Sequence, residues 1–495
     1  MKKLFIFIAF AAGYLIMSLE LLGFRLLAPY FGNSIYVWGS LIGLILAALA
    51  GGYYLGGWLA DNKKADLGLL AKLFSAAVLF LLADLFFYLP VLKELAGGSV
   101  IWGALAATLA IFFAPMVILA AISPVVIKIL SAREKIGQAA GLVYAWGTAG
   151  SILGTFLTSF VFIPYFGSRL TFWSCFFLAL IVLAVLLLVS GNERKRIFWA
   201  VLFFLISLAA WHSPILPKNV ILETESVYNR IRLIDKEGKL LLTLNSQRDS
   251  LVHSGYSSPS SNNSWLYLGG LFGVGPLIKP VNSLLVLGMA AGSTILQHQV
   301  FSPQIKIEAV EIDPRIIEIA KGKFGLKESE SLKIFQDDAR PFLARSKKQY
   351  DMIEIDLFQG SPFIPFYVLT REFFQSVFSH LNSQGLMMMN IYAPGQQEIL
   401  APILATMNSV FPAVYTIPID NNFMVLATRS ETNLKEIKNQ IKNAKLEARP
   451  DLRLVIDYAL DFIQEYQPNQ KSPVFTDDWA PVETITYQML KGIRY

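Results

Sequence analysis

A chain of 495 residues that is 54% hydrophobic and only 16% charged, with a mean hydropathy of +0.51, is too apolar to be a single cytosolic domain. Its one cysteine, Cys175, excludes a disulfide framework and a cysteine-built metal site, and His212, His253, His298 and His380 lack the spacing of zinc ligands, so no metal is expected. The net charge of +6 does not indicate nucleic acid, because the basic residues of the first half flank apolar runs and act as topology signals.

Most charge lies after residue 213, whereas residues 4–213 divide into apolar runs of about bilayer-spanning length. Seven spans are predicted, at 4–27, 36–60, 67–89, 99–128, 138–163, 169–190 and 197–213. The first follows Met1, Lys2 and Lys3 without a small-residue cleavage site behind it and reads as a retained span. Gly39 and Gly43, Gly52 and Gly56, and Gly150 and Gly154 have the four-residue spacing that lets helices approach closely in lipid. Glu20, Arg25 and Asp84 are costly at bilayer depth; Glu20 is a candidate cation contact, and Arg25 can reach the interface. With seven spans, Lys2, Lys63, Lys128, Arg133 and Arg194 share one side and only Lys93 and Arg169 fall in the opposite loops. The richer side is then cytoplasmic, with the N-terminus, and the soluble half lies across the membrane.

After Pro214 the texture changes. Residues 229–234 and 239–244 read as a hairpin, and 254–264, rich in Ser and Asn, as a surface loop. From Ser283 strands alternate with helices. Residues 283–287 form a buried strand, 288–292 a tight glycine turn and 293–300 a helix start; a second strand ends at Glu311, about twenty residues beyond the turn, where an acid can accept from both ribose hydroxyls. Further strands end before Asp337, Asp338 and Ala339, and at Asp356. These ends line one edge of a parallel sheet, the ligand-binding edge of such folds. The bland alternative makes Glu311 and Asp338 helix caps or loop acids, and Asp313, before Pro314, the cap of its own helix. The predicted architecture is an α-helical membrane domain (1–213), a linker with a small β-hairpin unit (214–264), and an α/β Rossmann-like, methyltransferase-type domain (265–495).

This order resembles the spermidine synthase family, the polyamine aminopropyltransferases, and its membrane-integrated branch. The resemblance runs over about 223–429, anchored at 225–229, 288–293, 310–313, 337–339 and 350–356. It extends to 20–32 (ELLGFRLLAPYFG), 51–61 (GGYYLGGWLAD) and 475–483 (FTDDWAPVE). It implies decarboxylated S-adenosylmethionine as co-substrate, whose aminopropyl group passes to a small-molecule amine, leaving methylthioadenosine. Glu311 then matches the ribose acid, Asp338 and Ala339 the adenine-side pair, Gly288 and Gly292 the turn, Asn229 the position after the first β segment, and Asp356 the proton acceptor.

The departures lie on the amine side. Ala291 replaces the turn aspartate, Tyr267, Leu268 and Gly269 replace Tyr-His-Glu, Gln359 replaces the second acid of Asp-x-x-Asp, and Asn229 replaces a Gln. A diamine is a dication that needs paired carboxylates when desolvated. Asp477, Asp478 and Glu483, or Asp249, are candidates to rebuild that pocket, the alternative being a solvated turn; Tyr228 and Tyr267 are pocket walls or core packing. Two other readings stay open: an S-adenosylmethionine-dependent methyltransferase, and a non-catalytic nucleoside- or polyamine-binding transporter or sensor. The partners expected are an amine and the lipid bilayer, in a multi-pass cell-membrane protein; a homo-oligomer is compatible with the sequence.

Overall fold

The structure is a computed structural model that describes residues 1–32, 34–96, 100–190, 219–245, 254–257, 268–358, 364–394, 398–445, 450–468 and 472–491. The chain divides into two compact units, one comprising Met1–Leu216 with Glu225–Val227 and the other Pro217–Thr224 with Tyr228–Arg494.

The first unit is helical: α1 (Lys2–Phe31), α2 (Ile35–Asn62), α3 (Leu67–Leu95), α4 (Val100–Thr108), α5 (Ala114–Ser131), α6 (Ile136–Leu157) and α7 (Ile163–Val189). Single π turns, Leu109–Phe113 and Thr158–Phe162, join α4 to α5 and α6 to α7. Among the described residues five continuous helices are long and apolar enough to cross a membrane, against seven predicted spans. The difference has two sources. Ile136–Val189 is counted as one helix of 54 residues although the backbone leaves helical angles at Gly167 (φ 75°, ψ 170°), so two predicted spans merge. The predicted span 197–213 lies outside the described residues.

Two of the three glycine pairs sit where backbones touch. A methyl group on Gly150 or Gly154 would come within 2.0 Å of the Phe10 carbonyl oxygen or 2.6 Å of that of Tyr14, and Gly52 and Gly56 meet the carbonyls of Val117 and Ala121 at 2.4 and 2.3 Å. Gly39 and Gly43 face open space instead. Arg25 does not simply reach for the interface: its guanidinium donates to the Ser226 and Val227 carbonyls, the latter at 3.3 Å. Glu225, beside them, accepts from the Ser168 backbone N–H at 2.8 Å. Asp84 is buried, and its Oδ2 has no hydrogen-bond partner among the described residues.

The second unit begins with a four-stranded sheet in the order β1 (Val220–Glu225), β2 (Arg230–Lys236), β3 (Lys239–Leu244), β4 (Ser254–Ser257). β2 and β3 pair from Ile231 opposite Leu244 to Lys236 opposite Lys239, which leaves Glu237 and Gly238 as a two-residue turn with φ of 55° and 78°. Positive φ at both central residues gives the turn whose twist suits a hairpin.

The main sheet comprises β5 (Ser283–Leu287), β6 (Lys306–Glu311), β7 (Leu332–Gln336), β8 (Tyr350–Ile355), β9 (Leu381–Tyr392), β10 (Ala413–Ile419), β11 (Asn422–Thr428) and β12 (Gln464–Glu465), in the order β12-β10-β11-β9-β8-β5-β6-β7. β5 to β9 pair in parallel, and the β10–β11 hairpin adds antiparallel to β9. β5 is apolar on both faces because both are covered. Leu284 and Val286 pack into one core with Ile295 and Ile307, and Leu285 and Leu287 into the other with Ile353 and Phe373. At the far edge Asp351 accepts from the N–H groups of Asn282 and Ser283, each at 3.0 Å, and pins the start of β8 to the start of β5. The order of the strands reverses at the central β5–β8 pair: β6 and β7 build outward on one side and β9 on the other. The crevice at the carboxyl ends of β5 and β8 is where such a sheet binds ligands.

Candidate active site

Three strand ends meet at that crevice. β5 runs into Gly288, whose N–H donates to the Val310 carbonyl at 3.0 Å; β8 runs into Asp356, whose N–H donates to the Leu287 carbonyl at 3.0 Å. Gly288 has φ of 84°, and a Cβ there would lie 2.4 Å from the Asp356 carbonyl oxygen, so only glycine lets the turn lie this close to β8. Gly292, also left-handed at φ 80°, starts the helix Ser293–Phe301.

Glu311 ends β6 as a buried carboxylate, 7% exposed. Its Oε2 accepts from the Ala290 N–H at 3.0 Å and its Oε1 from the Asp313 N–H at 3.1 Å, so the turn and the acid hold each other. Burial pushes its carboxyl up to about 7, against the pull of those backbone N–H groups. Each oxygen retains acceptor capacity, which is what two ribose hydroxyls require. Asp313 is buried and accepts from Arg315 N at 2.9 Å as the cap of the helix Pro314–Lys323.

Asn229 lies not at the strand-end acids but between Asn245 and Asp313: it donates to Asp313 Oδ2 at 2.9 Å and accepts from Asn245 Nδ2 at 2.8 Å. Asp338 caps the helix Ala339–Arg345 through Oδ1, accepting from Arg340 N at 3.0 Å, while Tyr367 OH approaches its Oδ2 at 3.4 Å. The capping alternative for Asp338 is thus met in the structure. Ala339 is buried.

Asp356 is partly buried, and burial, with Glu354 two residues earlier as a smaller contributor, pushes its carboxyl up to about 7. Asn390 Nδ2 donates to its Oδ1 at 3.0 Å, and Asn422 Nδ2 donates to Asn390 Oδ1 at 2.8 Å. Glu354 is itself buried and hydrogen-bonded to buried His298. Sequence reasoning missed these four residues. The available signal was a lone polar residue inside an apolar strand, as in Met387, Met388, Met389, Asn390, Ile391.

The tail behaves differently. Asp477 is gripped by the Arg340 guanidinium, at 2.9 Å to Oδ1 and a closer contact to Oδ2, and accepts from Thr370 Oγ1 at 2.7 Å. Arg340 holds its carboxyl below the usual carboxylate range. A carboxylate so occupied is a poor candidate for an amine pocket. Asp478 is exposed. Tyr228 is 43% exposed, so it is not core packing. Tyr267, Gln359 and Asp249 lie outside the described residues. Ala291 is fully buried in an apolar cluster with Ile231, Leu233, Leu242, Ile316 and Ile319. Among the described residues no group of His, Cys, Asp and Glu is arranged to hold a metal.

Residues 246–443 match the family model described as the spermine/spermidine synthase domain. The chain is similar to a probable polyamine aminopropyl transferase of Bifidobacterium longum, 29% identical over 54% of this chain and 62% of that relative. It is also similar to polyamine aminopropyltransferase 2 of Aquifex aeolicus, 24% identical over 83% of this chain and 85% of that relative. A shorter likeness, 29% identical over 32% of this chain and 24% of the relative, is to an eEF1A lysine and N-terminal methyltransferase of Bos taurus. The C-terminal half of the chain, built around a buried strand-end acid and a glycine turn, therefore carries a spermine/spermidine synthase domain, a transferase domain.

Proposed function

We propose that the protein is a membrane-integrated aminopropyltransferase that moves an aminopropyl group from decarboxylated S-adenosylmethionine to a putrescine-like or membrane-derived amine and releases methylthioadenosine. The observation that carries this reading is the meeting, at one sheet edge, of the Gly288 turn, the buried acid Glu311 and the carboxylate Asp356. Glu311 would hold the ribose, Gly288 and Gly292 would let the backbone approach the nucleoside, and Asp338 with Ala339 would border the adenine. The co-substrate supplies a sulfonium leaving group. The chain's own task is to position the amine and take its proton. The amine nitrogen uses its lone pair to form the new C–N bond as the C–S bond breaks toward sulfur, and the proton passes to Asp356. A carboxyl held up to about 7 suits that exchange near neutral pH. The apolar helices of the first unit support a multi-pass location in the cell membrane, with the bilayer as their solvent.

One observation favours methyl transfer from S-adenosylmethionine instead. Ala291 offers the turn no carboxylate for a free ammonium. Incubation of the purified protein with each donor and a panel of amines, with mass spectrometry of the products, separates the readings. Methylthioadenosine formed in step with an aminopropylated amine is the expected result. S-adenosylhomocysteine overturns it in favour of methyl transfer, and nucleoside binding without either product points to a transporter or sensor.

A further inference from the structure

Asp356 follows β8 directly, and the parallel register that pairs Ile355 with Met389 brings Asn390 alongside it on β9. Asn422 opens β11. There Met424 stands opposite Asn390 and Asn422 opposite Tyr392, so the two asparagines are diagonal neighbours across the ladder. Asn390 is 4% exposed, and a buried amide is costly unless both ends are bonded. Both are: Nδ2 donates to Asp356 Oδ1 at 3.0 Å and Oδ1 accepts from Asn422 Nδ2 at 2.8 Å. The arrangement also fixes which way the amide points. Flipping Asn390 would set its oxygen against the carboxylate and its NH2 against the NH2 of Asn422. Among the described residues only Oδ1 of Asp356 is held by a hydrogen bond.

We infer that Asn390 and Asn422 form a two-amide brace that positions Asp356, turning Oδ1 toward the sheet and presenting Oδ2 to the substrate amine. The inference rests on the reading of Asp356 as proton acceptor. Neither asparagine touches the reacting atoms; both act through the carboxylate. A second consequence follows from charge. Burial opposes the ionised carboxylate most strongly, the Asn390 donor favours it, and the acidic neighbour Glu354, hydrogen-bonded to His298, adds to the opposition. Removing the brace therefore makes Asp356 easier to protonate as well as looser.

The test uses the full chain in detergent. The Asp356 carboxyl band is followed against pH by infrared spectroscopy on 13C-aspartate-labelled protein, with Asp356→Asn subtracted. In Asn390→Ala the midpoint should rise by about one pH unit, the size expected for losing a hydrogen bond to a charged group, and in Asn422→Ala by less. In turnover with decarboxylated S-adenosylmethionine, kcat should fall about tenfold and the acidic limb of the pH profile should move by the same interval, while KM for the donor stays unchanged. Asn422→Gln, which keeps a donor, should recover part of the loss. Wild-type titration in both alanine variants overturns the brace even where Asp356→Asn is inactive. A shifted titration in a protein that yields no product with any amine leaves the brace standing and removes the aminopropyltransferase reading. Should Asn390→Ala fail to fold, Asn422→Ala, at the start of its strand, decides the matter by the same two readouts.

Discussion

The strand-end edge and the C-terminal tail both carry carboxylates, and they use them in opposite ways. Glu311 is buried and Asp356 partly buried; among the described residues they are hydrogen-bonded only by backbone N–H or amide groups, and burial pushes both up to about 7. Asp477 is more exposed and tied to Arg340 and Thr370, and its carboxyl is held low. An acid whose charge is already answered by a guanidinium contributes to architecture. One that is buried beside neutral donors with acceptor capacity to spare is poised to change protonation when a ligand arrives. From the sequence, the strand-end acids read as site residues and the tail acids as either an amine pocket or a solvated turn; their partners separate the two sets.

The strongest way to break this contrast is Asp356→Asn. It keeps size and removes the base, so turnover should fall roughly 10²-fold or more while methylthioadenosine affinity barely moves. Product formation beside a binding titration checks both halves, and full turnover in the variant would reduce Asp356 to a structural strand end. Next in size is Glu311→Ala, which should weaken methylthioadenosine binding by about 2 kcal/mol or more, the range for hydrogen bonds to charged groups. Unchanged affinity in calorimetry would remove the nucleoside pocket from this edge.

A third expectation concerns pH. Glu311 and Asp356 bind protons more readily folded than unfolded, since their carboxyls lie near 7 rather than the ordinary 4.5 and 3.8. Their contribution to stability is complete below those ordinary values and is lost as pH rises through about 7. The ligand-free protein should therefore melt at a lower temperature at pH 8 than at pH 5.5, and Glu311→Gln should flatten the dependence. A Tm that rises over this interval would contradict the assignment. Asp477 runs the other way: its carboxyl is held low, so its stabilisation is present above the ordinary value and lost only as pH falls below it. The smallest effect is expected for Asp477→Ala: at most about 1 kcal/mol of stability, as for exposed ion pairs, with KM for the amine unaltered. A large rise in that KM would return the tail to the acceptor pocket.

How much of this was legible beforehand depended on the range of the signal. Glu311 could be placed because a glycine turn and an acid about twenty residues later are features of one local strand-helix-strand unit, and the hairpin of β2 and β3 could be placed because its two-residue turn is local too. Asn390 and Asn422 could not be placed. Their partnership with Asp356 depends on the register of three strands from distant parts of the chain, which no local pattern carries. Arg340 and Asp477 are likewise 137 positions apart. Of the two spans by which the count differed, one turns on a kink at a single glycine that decides whether Ile136–Val189 is one helix or two, and the other, 197–213, lies outside the described residues.

The bond from Asn229 to Asp313 carries a mechanical consequence. Asp313 works on two sides: Oδ1 anchors the start of the helix Pro314–Lys323 and Oδ2 anchors Asn229, which in turn holds Asn245 just past the end of β3. The carboxylate of Glu311 grips the Asp313 N–H as well. A displacement of a few tenths of an ångström at Glu311, such as nucleoside hydroxyls would impose, therefore has a taut path through Asp313 to both strands of the β2–β3 hairpin. Amide exchange in β3 should slow when methylthioadenosine binds, although no residue of β3 need touch it, and Asn229→Ala should sever that response.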